Sequence, residues 1–559
     1  MKIIIIGGVA AGTSAAAKAR RNNETAEIKI FDQDEDMSYS VCGLPYYIGT
    51  EVKTREELVP RDAAFFKKKY NVDVYMGHQA VAIDIARKVI TVKNLRSQEQ
   101  FEEAYDRLIL ATGASVRIPS IPGIEKENVF SLRNVRSADR IRAYVLEQQP
   151  QRAVVVGSGF IGLEVAENLK ARGLEVTVVE MASQVMPTLD ADMAMYVEAE
   201  LRKQGVSVIT DDSAVCFEGK DRVEQVLLKS GKKVAADMVI VAAGVQPKVS
   251  LAQQAGIALG VTGAIKVNTK MQTSVPNVYA CGDCAEGFSL LTQAPLYRPM
   301  GSTANKMGRI AGDQATGGTL EFRGVLGTGI VKVFDLTVAH TGMSEQQARK
   351  EGYAVVVCHN IKPDKPEYFH GQEMVIKGIA DEKTGRLLGA QIVGKNGVDK
   401  RMDVFVTAMS FGAHVEDLFH LDLAYAPPFS TTKDPVLYTG MILDNAISRG
   451  RKLITSEELM RKQQCGAEVI VIDARAVGQY EKDHVQEALN IPQEKLREAA
   501  EALDKTKLIV TYCNKGVTGN AAQNILRNRG FEQVYNLSGG HKQYQKVQQH
   551  ISQREEQKK

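Results

Sequence analysis

The sequence predicts an α/β protein with two similar parallel-sheet units, then an α+β domain, then a further α/β module. Two observations lead to this prediction. Residues 2–6 form an apolar strand pattern that leads into a glycine-rich turn and an Ala-rich helix, and residues 153–156 begin the same pattern about 150 positions later. From about residue 325 the pattern changes to alternating strands with later helices. We therefore expect an internal duplication followed by two different domains.

Length and composition bound the class of protein. At roughly 150 residues per domain, 559 residues suggest three or four domains, and 44% apolar with 25% charged residues is typical of globular proteins. The 70 basic and 67 acidic residues are interspersed, which argues against nucleic acid as a partner. No early apolar run approaches the roughly 20 residues of a membrane span, and we expect no signal peptide. Because no apolar run is long enough to span a membrane, we expect no membrane partner. Seven cysteines are too few for a disulfide framework, so we expect a cytoplasmic protein.

The second unit carries a complete nucleotide-binding fingerprint. Gly157, Gly159 and Gly162 follow its first strand, and Glu180 ends its second strand. Glycines there permit a tight turn and the close approach of a pyrophosphate to a helix N-terminus, and the acid accepts hydrogen bonds from ribose hydroxyls. A chance glycine-rich turn would not explain the strand, the helix and the acid together. Because a carboxylate repels a 2′-phosphate, we predict that this unit binds NADH in preference to NADPH.

The first unit has the same design with one departure. Gly7 and Gly12 flank its turn and Asp32 ends its second strand, but Val9 stands where a middle glycine is usual. A later apolar strand pattern ends in Asp283, an acid suited to a ribityl or phosphate contact. The sequence therefore predicts a second nucleotide site.

Over roughly residues 1–440, these motifs resemble the flavoprotein disulfide reductases that have two dinucleotide sites. The resemblance implies an FAD site in the first unit and an NADH site in the second. The implied FAD contacts are Gly7, Gly12, Asp32, Thr112 and Asp283. The implied NADH contacts are Gly157, Gly159, Gly162 and Glu180.

Cys42 is the candidate redox nucleophile, with a packed structural thiol as the alternative. Relatives similar to glutathione reductase carry a second cysteine five positions on, where this chain has Tyr47. A single thiolate must instead cycle through a mixed disulfide, a persulfide or a sulfenic acid. Near a helix N-terminus and an oxidised flavin, we expect the pKa of Cys42 to be depressed. Residues 42–47 (CGLPYY) resemble the coenzyme A disulfide reductases and the NADH-dependent persulfide reductases.

This second resemblance implies contacts to coenzyme A and a homodimer. The implied coenzyme A contacts are Ser14, Lys18, Arg21, Ser38, Asn305 and Lys433. For Lys18 and Arg21 the alternative is a solvated helix face. Tyr368 and Tyr425 would reach the active site of the partner subunit, where a tyrosine can hydrogen-bond or protonate the leaving sulfur. A core tyrosine is the alternative for Tyr368.

Residues 455–550 resemble a rhodanese domain. A strand pattern over residues 508–513 (LIVTYC) ends in Cys513, and the loop after it leads into a helix. Successive backbone N–H groups and the helix N-terminus would stabilise a thiolate or persulfide, so Cys513 is a predicted sulfur carrier. A buried strand-end cysteine is the alternative. Rhodaneses usually carry an arginine where this chain has Thr518, so we expect weak use of thiosulfate unless Lys515 compensates.

The sequence thus predicts four domains and an oxidoreductase acting on sulfur. The predicted boundaries are residues 1–149 and 250–324 for an FAD-binding domain, 150–249 for an NADH-binding domain, 325–445 for a dimerisation domain and 455–550 for a rhodanese domain. The resemblances imply NADH-dependent reduction of a small-molecule disulfide, persulfide or polysulfide. The alternatives are an NADH oxidase or peroxidase that cycles Cys42 through sulfenic acid, and a redox-sensing or sulfur-binding protein. Cys281 and Cys284 have CxxC spacing without a second pair, so we expect them to pack rather than to hold a metal.

Overall fold

The computed structural model describes residues 1–558, and side chains through residue 555. The chain separates into two compact units. The first contains Met1–Ser183 and Gly205–Gly327, and the second contains Gln184–Gln204 and the chain from Thr328 onward. Within the described residues, no helix is both long enough and apolar enough to cross a membrane.

A five-stranded parallel sheet forms the centre of the first nucleotide-type fold. In order across the sheet, its strands are Val278–Ala280, Arg107–Leu110, Lys2–Ile6, Glu27–Asp32 and Asp73–Met76. Ile3, Ile4 and Ile5 of the central strand are fully buried, as expected where both faces of a parallel sheet are covered. The glycine turn follows this strand at the carboxyl end of the sheet, where such folds bind their ligands.

A second parallel sheet repeats this arrangement within the same unit. In order, its strands are Ser207–Ile209, Glu175–Val179, Arg152–Val156, Met238–Val241 and Val129–Phe130. Its central strand, Arg152–Val156, is again the strand that leads into a glycine turn. The internal duplication predicted from the two apolar strand patterns is therefore present in the fold.

Helices and short antiparallel sheets complete the first unit. The helices are Ala10–Asn22, Leu44–Ile48, Arg55–Leu58, Ala63–Tyr70, Val135–Gln148, Phe160–Ala171, Ser250–Gln254 and Gly301–Ala315, with a 3-10 turn at Val41–Gly43. The antiparallel strands are His78–Asp84, Val89–Asn94 and Gln100–Ala104; Ala214–Glu218, Gln225–Leu228 and Lys233–Ala235; Val245–Pro247 with Ala114–Val116; and Gly287–Phe288 with Pro295–Leu296. Gly308 allows the first and last of these helices to touch, since a Cβ there would lie 2.2 Å from the carbonyl oxygen of Ala11.

The second unit begins with an α+β domain built on an antiparallel sheet. In order, the strands are Gly329–Val333, Leu336–Gly342, Leu387–Gly394, Glu373–Asp381 and Val355–Pro363. The helices of this part are Ala191–Lys203, Glu345–Lys350, Val398–Ser410 and Pro435–Ser448, with 3-10 turns at Glu367–Phe369 and Glu416–His420. Helix Ala191–Lys203 comes from the middle of the second nucleotide-type fold in sequence, yet it packs within this unit.

The C-terminal module of the second unit is a parallel sheet covered by helices. In order, its strands are Leu453–Ile454, Val534–Leu537, Leu508–Tyr512, Val469–Asp473 and Leu489–Asn490. The helices are Ser456–Gln464, Val477–Tyr480, Leu496–Ala499, Val517–Asn528 and Gly540–Lys558, with a 3-10 turn at Ala500–Ala502. Cys513 directly follows the central strand, as its position in the sequence predicts.

Candidate active site

The first glycine turn is shaped for close backbone approach. Gly7 has a φ of 113°, and a Cβ there would lie 2.1 Å from the carbonyl oxygen of Ala111. A Cβ on Gly12 would lie 1.8 Å from the carbonyl oxygen of Gly7, so no larger residue fits either position. Asp32 accepts a hydrogen bond from the N–H of Gly8 at 2.6 Å, which brings the predicted acid beside the turn. Burial raises the pKa of Asp32.

The second glycine turn repeats this geometry and leaves room for a ligand. Gly157 has a φ of 106°, and a Cβ on Gly162 would lie 2.1 Å from the carbonyl oxygen of Gly157. Gly159 begins helix Phe160–Ala171 without a side-chain cap, and no atom lies within 4 Å of where its Cβ would stand. Glu180 accepts hydrogen bonds from the N–H and hydroxyl of Ser158 at 2.8 and 2.7 Å. The turn therefore joins an open helix N-terminus to a positioned carboxylate, which is the arrangement that a dinucleotide requires.

Asp283 lies just after strand Val278–Ala280 and forms an ion pair that the sequence did not predict. The guanidinium of Arg133 donates to the Asp283 carboxylate at 3.0 Å and to the carbonyl oxygen of Ala114 at 2.9 Å. Thr112 is also near this region of the fold, with its hydroxyl donating to the carbonyl oxygen of Lys248 at 2.7 Å. Arg133 had no motif of its own, because its partner is 150 positions away in the sequence.

Cys281 and Cys284 flank this acid as packed thiols. Both are fully buried and neither forms a disulfide. The Cys284 thiol lies 3.4 Å from the carbonyl oxygens of Leu110 and Cys281. Burial raises the pKa of both thiols. These contacts agree with the expectation that the CxxC pair packs.

Cys42 is exposed in the 3-10 turn Val41–Gly43, which precedes the short helix Leu44–Ile48. The protein groups around Cys42 shift its pKa upward, and the depression expected beside an oxidised flavin stays a prediction. Exclusion of water by the surrounding protein, and then the carboxylates of Glu164 and Asp283, raise the pKa of Cys42, while Arg133 opposes them. A turn this short carries little helix dipole to offset two carboxylates.

Glu164 is a candidate functional residue that the sequence analysis missed. It lies in the first turns of helix Phe160–Ala171, directly after the glycine fingerprint, and accepts a hydrogen bond from the hydroxyl of Tyr46 at 3.3 Å. Burial raises the pKa of Glu164 to about 7. A carboxyl group that titrates near neutrality can hold or release a proton, and the charge of this one acts on Cys42. Its position two residues after Gly162 was the only signal in the sequence.

Tyr47 occupies the position where a second redox cysteine would stand. Its ring is buried, its hydroxyl donates to Asp139 at 3.0 Å, and the guanidinium of Arg142 lies 4.2 Å from the ring centroid. All the cysteines are free thiols, so Cys42 has no disulfide partner. The disulfide that a second cysteine at position 47 would form with Cys42 is therefore absent from this chain.

Several residues predicted to contact coenzyme A lie on two helices that pack against each other, Ala10–Asn22 and Gly301–Ala315. The Ser14 hydroxyl donates to the side-chain oxygen of Asn305 at 2.5 Å, and the ammonium of Lys18 lies 3.0 Å from Asp313. Arg21 stacks at 5.9 Å over Tyr70. Lys18 is half-buried and paired, whereas Arg21 is exposed, so the alternative of a solvated helix face stays open for Arg21.

The remaining residue of this group in the first unit lies next to the glycine turn. Ser38 has a φ of 50° and donates its N–H to the carbonyl oxygen of Gly8 at 2.9 Å. Lys433 belongs to the second unit. There Arg401 pairs with Asp434 at 2.9 Å and donates to the hydroxyl of Ser430 at 3.2 Å, which fixes the segment that carries Lys433.

The two predicted active-site tyrosines lie on the surface of the second unit. Tyr368 is 70% exposed in the turn Glu367–Phe369, so the alternative of a core tyrosine is wrong. Tyr425 is 47% exposed and lines a groove with Asp364, Lys400 and Phe429. Both phenols are therefore accessible to another molecule.

Cys513 lies at the start of the loop between strand Leu508–Tyr512 and helix Val517–Asn528. It is 7% exposed, and its carbonyl oxygen accepts the N–H of His541 at 2.8 Å. Helix Val517–Asn528 begins after Gly516, which has a φ of 95° and leaves the helix N-terminus without a side-chain cap. Arg475 braces the loop by donating to the side-chain oxygen of Asn514 at 3.2 Å. The loop thus leads from Cys513 into a helix N-terminus that has no side-chain cap, and the role of Cys513 as a sulfur carrier stays a prediction.

Comparison with known protein families assigns each part of the chain. Residues 1–297 match the family described as pyridine nucleotide-disulphide oxidoreductase, residues 328–435 match its dimerisation domain, and residues 455–547 match the rhodanese-like domain. This chain belongs to the pyridine nucleotide-disulphide oxidoreductase family. Family membership confirms the predicted α/β class with two nucleotide-binding folds, a dimerisation domain and a rhodanese domain.

Individual relatives extend this likeness over nearly the whole chain. The structure of reduced Bacillus anthracis CoADR-RHD is 41% identical, with a TM-score of 0.95, and the match covers 98% of each chain. The NAD-dependent persulfide reductase from A. fulgidus is 38% identical, with a TM-score of 0.89, over 97% of this chain and 99% of that one. The NAD(P)H coenzyme A polysulfide/persulfide reductase of Pyrococcus horikoshii is 35% identical over 79% of this chain and 98% of its own length.

The pyridine nucleotide-disulphide oxidoreductases depend on FAD and NAD(P)H, which confirms the predicted cofactors. The structure passes a direct test of this assignment. In each turn two glycines lie too close to neighbouring backbone to carry a Cβ, and both turns lead into helices whose N-termini lack a side-chain cap. The residues present therefore fit two pyrophosphate-bearing ligands.

Proposed function

We propose that this enzyme uses FAD and NADH to reduce coenzyme A disulfide, coenzyme A persulfide or polysulfide at Cys42, and that Cys513 is its fused sulfur carrier. The observation that carries the proposal is an exposed Cys42 whose usual partner position is filled by Tyr47. The relatives named as coenzyme A disulfide or persulfide reductases support a substrate of this class.

The cofactor contacts follow from the two glycine turns. We assign FAD to Gly7, Gly12, Asp32, Thr112 and Asp283, and NADH to Gly157, Gly159, Gly162 and Glu180. When bound, FAD supplies the path by which two electrons pass from NADH to the sulfur at Cys42. Ser158 holds Glu180 in place with two hydrogen bonds, and the negative charge of the Glu180 carboxylate repels the 2′-phosphate of NADPH.

Cys42 supplies the nucleophile for the sulfur chemistry. Its thiolate attacks coenzyme A disulfide, one S–S bond breaks, a Cys42–S–S–CoA bond forms, and one coenzyme A thiolate leaves. Two electrons then restore the Cys42 thiolate and release the second coenzyme A. With a persulfide, the same attack on the sulfane sulfur releases coenzyme A first and hydrosulfide after reduction. Glu164, with a pKa of about 7, holds the proton that the leaving thiolate takes up.

The substrate and partner contacts complete the proposal. Coenzyme A would lie along the helix pair that carries Ser14, Lys18 and Asn305, with Arg21, Ser38 and Lys433 as further contacts. The exposed Tyr368 and Tyr425 would serve the active site of the partner in a cytoplasmic homodimer. The match to a dimerisation domain supports a dimer, and sedimentation of the purified protein measures it.

Replacement of each reactive cysteine tests the proposal. Cys42→Ser should lose at least about a hundredfold of the NADH-dependent reduction of both coenzyme A disulfide and persulfide, because no other thiol can replace the nucleophile. Cys513→Ser should retain reduction of the disulfide and lose sulfane sulfur on residue 513, as measured by peptide mass. Cys465→Ser, at another exposed thiol, is the matched control. Full turnover of either substrate by Cys42→Ser would contradict the proposal, whereas rapid oxygen consumption by the wild type without a thiol substrate would favour the oxidase.

A further inference from the structure

Ion pairs connect the loop that carries Cys513 to the antiparallel sheet of the same unit. Glu373, the first residue of strand Glu373–Asp381, forms ion pairs with Lys515 of the loop and with Lys542, the latter at 2.7 Å. In the same pair of strands, Lys362 stands opposite Met374, one position from the pairing of Pro363 with Glu373. Lys362 therefore lies close in the sheet to Glu373, the residue that binds the cysteine loop.

Lys362 lies near the cysteine loop without a carboxylate partner in the part of the chain that the structure describes. Its side chain is half-buried, with the ammonium 4.0 Å from the ring centroid of Tyr438, and it has no carboxylate within ion-pair distance among the described residues. The groups that act on it electrostatically are Lys515, Cys513 and Lys433. Burial, and then the repulsion of Lys515 and Lys433, lower the pKa of Lys362, whereas Cys513 opposes this effect. A bound anion would relieve this repulsion.

The cysteine loop alone supplies little positive charge for binding an anion. Lys515 is the only basic residue between Cys513 and Thr518, and Glu373 already pairs with it. We propose that Lys362, together with Lys515, forms an anion-binding site at Cys513, so that a strand of the dimerisation domain completes the sulfur-carrier site. The site would take a sulfur donor bearing negative charge at or near its sulfane sulfur. This inference rests on the proposed role of Cys513 as sulfur carrier.

The sulfur transfer at this site is balanced without any further reactant. The Cys513 thiolate attacks the terminal sulfur of a donor R–S–S⁻, a bond forms between the two sulfurs, and the donor S–S bond breaks. The electron pair of the broken bond leaves on RS⁻, so no oxidant or reductant is required. Two negative charges are present before and after the transfer, and Lys362 lowers their mutual repulsion.

Loading of the full-length, FAD-containing protein tests the inference in the absence of NADH. The variants are Lys362→Gln, Lys362→Arg, and as a matched control Lys383→Gln, an exposed lysine in the turn that ends strand Glu373–Asp381. Each is mixed with coenzyme A persulfide or with thiosulfate, and persulfide on the Cys513 peptide is followed by mass. Lys362→Gln should load about tenfold more slowly, mainly through a higher apparent KM, with Lys362→Arg close to wild type and Lys383→Gln unchanged.

The two donors distinguish the sources of the anion. A loss with both donors places the negative charge at the sulfane sulfur, whereas a loss with coenzyme A persulfide alone places it at the donor phosphates. Loading of Lys362→Gln at the wild-type rate with both donors would overturn the inference and leave the sulfur carrier intact. The same holds if Lys362→Arg is as slow as Lys362→Gln, because a positive charge would then not be the cause. Wild-type protein that loads from neither donor would overturn the sulfur-carrier role itself.

Discussion

Replacement of Glu164 by glutamine should change the stability of the first unit in a pH-dependent way. The carboxyl group lies in a buried position where its ionised form is disfavoured, and its pKa is raised from 4.5 to about 7. Because a raised pKa means that the folded state holds the proton more tightly than the unfolded chain, stability falls as the pH rises from 4.5 to 7. Above pH 7 both states are ionised and the penalty is constant. Glutamine does not ionise, so the Glu164→Gln variant does not carry this penalty.

The size of this effect follows from the two pKa values. A difference between 4.5 and about 7 corresponds to about 3 kcal/mol at 1.36 kcal/mol per pH unit. Entry of water around the ionised carboxylate reduces this value, so we expect the advantage of Glu164→Gln over wild type to grow by about 1–3 kcal/mol between pH 5 and pH 8. The amide oxygen of glutamine can still accept the hydroxyl of Tyr46, which keeps the comparison close to one of charge alone.

Urea unfolding of the FAD-containing protein at pH 5 and pH 8 measures this difference, with flavin fluorescence reporting release of the cofactor from the first unit. Glu175→Gln, an exposed acid at the start of the neighbouring strand, is the matched control and should show no such growth. A gap between Glu164→Gln and wild type that is the same at both pH values would refute the reasoning. In the same variant, removal of the nearby carboxylate should shift alkylation of Cys42 to lower pH.

Three further variants test other parts of the structure. Gly12→Ala places a Cβ 1.8 Å from a backbone oxygen, so the purified protein should contain at least about tenfold less FAD by absorbance; normal FAD content would contradict the tight turn. Glu180→Gln should lower the NADH-to-NADPH ratio of kcat/KM by about tenfold, and an unchanged ratio would argue against its role at the ribose. Asp192→Asn should lower the free energy of unfolding by about 2 kcal/mol in thermal melts, because Lys377 and His359 lose a buried carboxylate; an unchanged melting temperature would contradict this.

Local spacing made much of the site predictable from the sequence. The glycines of each turn, the acid that follows, and Cys513 at the end of its strand lie within short segments whose period and turn residues determine their structure. Arg133, Glu164 and Lys362 escaped prediction because their partners come from distant segments that only the fold brings together. For the groups that this chain supplies, burial and then the carboxylates of Glu164 and Asp283 raise the pKa of Cys42, and these carboxylates also come from distant segments.

Long-range contacts also explain how the sulfur-carrier module is joined to the rest of the second unit. His359 lies between Asp192, whose carboxylate is 2.8 Å from its Nε2 atom, and Ser538, whose hydroxyl is 3.0 Å from its Nδ1 atom. Burial alone would raise the pKa of Asp192, but Lys377 and His359 hold it below its ordinary value.

This cluster reaches the loop of the sulfur carrier through two glycines that follow Ser538. A Cβ on Gly540 would lie 2.3 Å from the carbonyl oxygen of Cys513, so the segment that holds His359 also supports the cysteine loop. Separation of the module would remove the Ser538 hydroxyl from the N–H and imidazole of His359, and the Gln543 amide from the carbonyl oxygen of Asp192. These contacts join the C-terminal module to the rest of the second unit, which therefore contains both Cys513 and Lys362.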